Sequence, residues 1–487
     1  MGGSTLKKND ASAALWSKYG SHLLMAMPYA DGLITRAQDC ILTDADGNQI
    51  LDLAAGQFCS IVGHNHPRLI ERITEQMKRV LHIGTQYLSP IVLEAAAKFA
   101  EVAPGKLNKS LFLSTGTEAN ECALSIAKTY TGKTGVAAFS RGYYGLSLAT
   151  KSLSTIFTGR RKVGDLPAVP ESHTVLAPYC FRCPVHNRYP DCNLSCLNIS
   201  IESGMAGGDN LASVIVEPII SAGGMIVPPP GYLKALQEFT REREALLIVD
   251  EAQTGFGRTG KWFAIEHHEV EPDILVVSKS AGGGFPVSGI ITTDEIADRM
   301  VHERFVHLAS HQSDPAAAAA VAAVIDIVRE EGLLQASAEN GQYFFERLRE
   351  LQARHAIVVD VRGQGLMLGM ELSDEDNEDI AAIVDLLCAR SGVHLTYTYF
   401  EPVLRFIPPL TITRAQIDNA VAVLDDALAK ASHERIQLRD LLPNNPYSRS
   451  YVEALSGKRT LRRILSRLYE TSPEHWLKKL DQSVSKR

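Results

Sequence analysis

The chain has 487 residues, 45% of them hydrophobic and 22% charged, with a net charge of −7. That length allows two or three cores, and the mild acidity lacks the basic stripe of a nucleic-acid binder. No basic-then-apolar start reads as a signal peptide, and no apolar run reaches a bilayer's thickness, so a cytoplasmic chain without membrane contact is expected.

The first forty residues show no strong period. "CILTDADGNQILDLAAG" (40–56) predicts a hairpin turning at Asp-Ala-Asp-Gly. "HPRLIERITEQMKRVL" (66–81) has helical spacing. From about residue 90 helices alternate with short apolar strands: "SLFLS", "GVAAFS", "SVIVEP" (213–218), "ALLIVDEAQ" (245–253), "ILVVSK" (274–279) and "GIITT" (289–293). This alternation predicts a mostly parallel sheet between helices. "PAAAAAVAAVIDIV" (315–328) carries Asp326 and reads as a buried helix. A second α/β unit follows, with strand-like "RGQGLMLGMEL" (362–372) and helices over 378–392 and 416–431. From 432 the chain turns basic, with an amphipathic stripe of Leu461, Ile464, Leu465, Leu468 and Tyr469. A helix packed on a partner subunit is expected there.

Three features fall at strand ends, where ligands of open parallel sheets gather. "STGTEANE" (114–121) joins a strand to a helix start, whose free N–H groups and dipole favour a phosphate. A plain N-cap by Thr115 or Thr117 is the alternative. Asp250 follows five apolar residues and needs a cation, such as a protonated ring nitrogen. Lys279 ends the strand "ILVVS". Desolvation makes a lysine a Schiff-base nucleophile, unless it is simply ion-paired with Asp250. Together these are the needs of pyridoxal phosphate: its phosphate, its ring nitrogen and its aldehyde. "GFGRTG" (255–260) mimics a dinucleotide fingerprint, but the next strand ends on Ser278 and Lys279 where an acid would be required.

The stretch "IVDEAQTGFGRTGKWFAIEHHEVEPDILVVSK" resembles the signature of class III (ornithine/GABA-type) pyridoxal-phosphate aminotransferases. The chain is most similar to the dialkylglycine decarboxylase branch, over roughly residues 25 to 430. The resemblance implies fold type I: a large domain over 66–330, and a smaller α/β domain built from 1–65 and 331–431. Residues 432–487 would form a basic extension. It implies a homodimer, or a dimer of dimers, with the site at the subunit interface. Lys279 would carry the cofactor and shuttle the proton, and Asp250 would face the ring nitrogen. Gln253 would face the phenolic oxygen. Thr115, Gly116 and Thr117 would bind the phosphate, and Tyr143 would stack on the ring. Tyr144 stands where the family often has histidine. Gln57, Glu217 and Arg405 would meet the substrate, Arg405 gripping a carboxylate through two parallel hydrogen bonds. Ser310 would touch the neighbouring subunit's phosphate. The branch also implies an alkali-metal ion near Ile83, Thr85, Ser310, Gln312 and Asp314, against a simple helix-capping Asp314.

Reaction type depends on which Cα bond stands perpendicular to the cofactor ring. A carboxylate pinned near the ring plane directs proton loss and transamination. An upright one leaves as carbon dioxide, and reprotonation on the opposite face racemises. The decarboxylase branch reads Ser-Ser-Gly-Gly where this chain has "SAGG", so Ala222 lacks a hydroxyl. The order of expectation is aminotransferase, decarboxylating transaminase, amino-acid racemase, with a non-catalytic binding protein last. Cys180, Cys183, Cys192 and Cys196, spaced C-x2-C-x8-C-x3-C, could close a zinc site or remain free thiols. His64 and His66 read as turn residues rather than metal ligands.

Overall fold

The computed structural model describes residues 10–24, 26–155, 169–373, 379–398, 401–434, 436, 438–441 and 444–445. Strands β1 (Ile34–Gln38), β2 (Ile41–Asp44) and β3 (Gln49–Asp52) form an antiparallel meander that includes the expected hairpin. Asp44 closes its turn by accepting from Asp46 and Asn48 backbone N–H groups at 3.0 and 2.8 Å.

The central sheet has seven strands: β4 (Leu107–Leu113), β5 (Gly135–Phe139), β6 (Ser172–Val175), β7 (Leu211–Val216), β8 (Leu246–Asp250), β9 (Ile274–Val277) and β10 (Ser288–Thr293). Their spatial order is β4-β10-β9-β8-β7-β5-β6, and only β10 runs against the others. β5, β7, β8 and β9 are buried at every position, as continuous apolar strands require when both faces are covered. The Ala-rich segment is a buried helix, Pro315–Glu330. Its small side chains let the helices Pro67–Arg79 and Pro90–Val102 lie close against it.

The strand-like stretch 362–372 is in fact a hairpin, β11 (Val358–Gln364) and β12 (Met367–Leu372). Gly365 turns it at φ 55°, and a Cβ there would meet the Thr259 backbone at 2.6 Å. Tight approach to the 255–260 turn, rather than strand propensity, therefore breaks the run. β13 (Val393–His394) pairs in parallel with β3, while β14 (Thr396–Tyr397) and β15 (Val403–Phe406) extend the β11–β12 sheet. The helices Ile380–Arg390 and Arg414–His433 match the two expected over 378–392 and 416–431. The Leu461 to Tyr469 stripe lies outside the described residues. Just before it, Asn444 and Asn445 donate their backbone N–H groups to Asp31 at 2.8 and 2.7 Å.

Candidate active site

A cavity of about 320 Å³ opens at the carboxyl ends of the parallel strands. Its wall includes Thr115, Gly116, Thr117, Tyr143, Gln253, Asp250, Glu217 and Lys279, all singled out from sequence. Register explains the central pair: Asp250 lies opposite Val276 across β8 and β9, and Lys279 follows three residues later. Asp250 and Lys279 are not ion-paired within 4.0 Å, so direct pairing does not account for the lysine. Instead, Asp250 accepts from Asn120 Nδ2 at 2.8 Å and from the Ala252 backbone N–H at 2.9 Å. Burial pushes its carboxyl up; Asn120 and the Lys279 charge pull the other way.

Lys279 sits at φ 41°, in the left-handed region. For a side chain with a Cβ this costs about 1–2 kcal/mol, and such strain gathers at functional sites. It aims the lysine back into the cavity as the chain leaves β9.

β4 gives way to the helix Gly116–Thr131, capped by Thr115, whose hydroxyl accepts from the Glu118 N–H at 3.4 Å. Capping and an anion site coexist here, because the cap uses the Glu118 N–H and leaves earlier ones facing the cavity. A Cβ at Gly116 would sit 3.1 Å from Ser278 Oγ, so glycine keeps this cradle open. The Thr117 hydroxyl bonds Ser147 and Thr150 at 2.7 and 2.9 Å, tying the helix start to the loop after Tyr143.

Glu217, one residue past β7, accepts from the Tyr143 and Ser221 backbone N–H groups at 2.8 and 3.3 Å. It thereby fixes the backbone that presents Tyr143. Burial, reinforced by Asp250, pushes its carboxyl up to about 8. A raised carboxyl favours the native state below its ordinary value of 4.5, and that contribution is lost as pH rises through 8. Glu217→Gln is therefore expected to flatten the fall in Tm of the cofactor-free protein between about pH 5 and 8. An unchanged slope in thermal unfolding would remove Glu217 as its source.

Tyr144 is buried, its hydroxyl accepting from the Phe139 N–H at 3.3 Å, and serves as packing in place of the family histidine. Asn120 escaped the sequence reading. Its position one helical turn after Gly116, on the cavity face, was the available signal. Three expected residues are not on the cavity wall of the single chain: Gln57 and Ser310 are exposed, and Arg405 lies on β15. The Arg405 guanidinium stacks over Phe58, 4.9 Å from its centroid. Asp314 accepts from both His82 and His311, and this imidazole pair was not anticipated.

The dinucleotide fingerprint is a turn followed by a short 3-10 helix, Ala264–His268, rather than an α-helix, and it holds a buried Arg258 whose Nη1 donates to the Leu366 carbonyl at 3.2 Å. His64 bonds Asp52 at 2.8 Å and His66 bonds Glu331, both structural contacts. The four clustered cysteines are free thiols that line one small cavity.

Two buried oxygens on the cavity wall, Gln253 Oε1 and Asn120 Oδ1, have no hydrogen-bond partner among the described residues. With the open helix start, the buried acid and the strained lysine, they fit a flat, phosphorylated heteroaromatic aldehyde.

Fold and cavity together define a fold type I enzyme of the transaminase kind. Residues 25–428 match the model of the aminotransferase class-III family, and the chain belongs to it. It is 37% identical to an uncharacterised aminotransferase of Schizosaccharomyces pombe, over 83% of this chain and 92% of that one. It is 33% identical to a leucine/methionine racemase of Thermococcus litoralis, over 84% of this chain and 93% of that one. A solved, pyridoxal-phosphate-bound amine transaminase from an uncultivated Pseudomonas species shares 28% identity at a TM-score of 0.74, covering 82% of this chain and 95% of that one. Among the described residues, no helix is long and apolar enough to cross a membrane.

Proposed function

We propose that this chain is a pyridoxal-phosphate-dependent aminotransferase moving an amino group between an amino acid or amine and a 2-oxo acid. The observation that carries it is a buried Asp250 with no ion-pair partner among the described residues, in one cavity with a lysine on strained backbone. When bound, the cofactor supplies an aldehyde for the amine and a ring that accepts the electron pair left at Cα. The helix start at Gly116 and Thr117 receives the phosphate. Asp250, oriented by Asn120, holds a proton on the ring nitrogen. The Gln253 amide meets the phenolic oxygen, and Tyr143 covers one ring face on backbone fixed by Glu217. Lys279 Nζ carries the proton released at Cα. Arg405 binds the substrate carboxylate, with Gln57 beside it. Ser310, exposed on the single chain, reaches the phosphate site of a second copy in a homodimer.

Incubating the purified protein with a panel of amino donors, with and without 2-oxo acids, tests this reading. Acceptor-dependent formation of a keto product supports it. Release of carbon dioxide from 2-aminoisobutyrate with pyruvate would instead place the chain with the decarboxylating transaminases. The racemase among its relatives favours a second reading. Loss of an L-amino acid's α-deuteron without an acceptor, with growth of the D form, would select it.

Arg405→Lys is expected to raise KM for carboxylate substrates roughly 10- to 100-fold with a smaller effect on kcat, since an ammonium cannot make the paired contact. An unchanged KM would move carboxylate recognition elsewhere.

A further inference from the structure

We propose that His82, His311 and Asp314 form a binding site for one divalent transition-metal ion of the zinc type. One ring nitrogen from each histidine and a carboxylate oxygen all lie within 4.8 Å of one another. His82 Nδ1 is 2.6 Å from one oxygen of Asp314, and His311 Nδ1 is 2.6 Å from the other. The two rings are 5.0 Å apart at 49°, so both nitrogens converge on one carboxylate from different directions.

His82 lies in the connection between the helices Pro67–Arg79 and Pro90–Val102, and the other two lie in the loop that opens Pro315–Glu330. Asp314 is anchored as that helix's N-cap residue, and its carbonyl accepts from the Ala318 N–H at 3.0 Å. On the single chain its side chain is 17% exposed against 44% for His82 and 65% for His311. In the same loop, Gln312 Oε1 is buried without a partner among the described residues.

Donor chemistry sets the ion class. Alkali and alkaline-earth ions collect oxygens, whereas two imidazoles and one carboxylate suit zinc, nickel or cobalt at bonds of about 2.0–2.2 Å. The alkali-metal ion implied by the family resemblance would draw instead on oxygens at Ile83, Thr85, Ser310, Gln312 and Asp314, so the two sites share Asp314. On binding, each ring gives up the Nδ1 proton it shares with Asp314: the ring's one remaining proton sits on Nε2, any second proton leaves to solvent, and the freed Nδ1 lone pair turns to the ion. Asp314 exchanges its hydrogen bonds for a metal–oxygen bond. The ion would then fasten the His82 segment to the loop that carries Ser310. That link to the cofactor rests on the proposed function, whereas the metal site itself does not.

The test uses the full-length protein, cleared with a chelator, equilibrated with zinc or cobalt and desalted before metal analysis. The wild type is expected to retain about one equivalent per chain, lost in H82A/H311A and in D314N. Should the double variant unfold, H311A alone gives the same reading, because that ring is the more exposed of the two. The cobalt form is expected to show visible d–d bands without sulfur-to-metal charge transfer. No retained metal in the wild type, or full retention in H311A, overturns the site. Retention abolished only by C180S/C183S would assign the ion to the cysteine cavity instead. Borohydride fixation of the cofactor reports the enzyme reading separately, so the two can fail independently.

Discussion

Lys279→Ala is expected to lower kcat by about 10⁴-fold, because the variant loses the amine that moves the proton at Cα. The cofactor should still bind through its phosphate and ring contacts, yet borohydride should no longer fix it to the protein. Turnover within tenfold of wild type would refute the role of Lys279. A stability readout separates the strain from the chemistry. Lys279 occupies φ 41°, so Lys279→Gly is expected to be more stable than Lys279→Ala by about 1 kcal/mol in denaturant unfolding. Both variants should be equally inactive.

Asp250→Asn is the second large effect, an expected loss of roughly 10²–10³ in kcat. The carboxylate is buried and not ion-paired among the described residues, so its charge gains a counterpart when a protonated ring sits beside it. Two opposite shifts should accompany the lost rate. The cofactor-free variant should unfold at higher temperature at neutral pH than the cofactor-free wild type, because a desolvated charge has been removed. Cofactor affinity should fall. If both states move in the same direction, Asp250 is a structural residue and its partner is not the ring.

The central sheet was legible because its strands are buried on both faces. "LLIVD" and "ILVV" needed no tertiary knowledge to be read as parallel strands, and their carboxyl ends marked Asp250 and Lys279. The helix start at Gly116 was equally plain, since a capping threonine and a glycine turn directly follow an apolar strand. Other features had no local sign. The hairpin inside 358–372 exists because Gly365 packs against the Thr259 backbone, far away in sequence. Tyr179 and Arg182, which flank Cys180, both bond the buried Glu371 on β12 and dock the cysteine segment on the second sheet. The spacing of four cysteines suggested a metal, but that all four gather around one cavity is decided by the fold. His82 and His311 are unremarkable apart, and only folding puts them on one carboxylate.

By itself the sequence determined the class of enzyme, the strand-end lysine and acid, and the open helix start, since each depends on residues close along the chain. Only the tertiary structure decided that Asp250 leans on Asn120 instead of Lys279, that Glu217 fixes the Tyr143 backbone, and that two histidines share Asp314. Those arrangements join side chains whose separation in sequence carries no periodic or local signal; packing alone brings them within reach of a hydrogen bond.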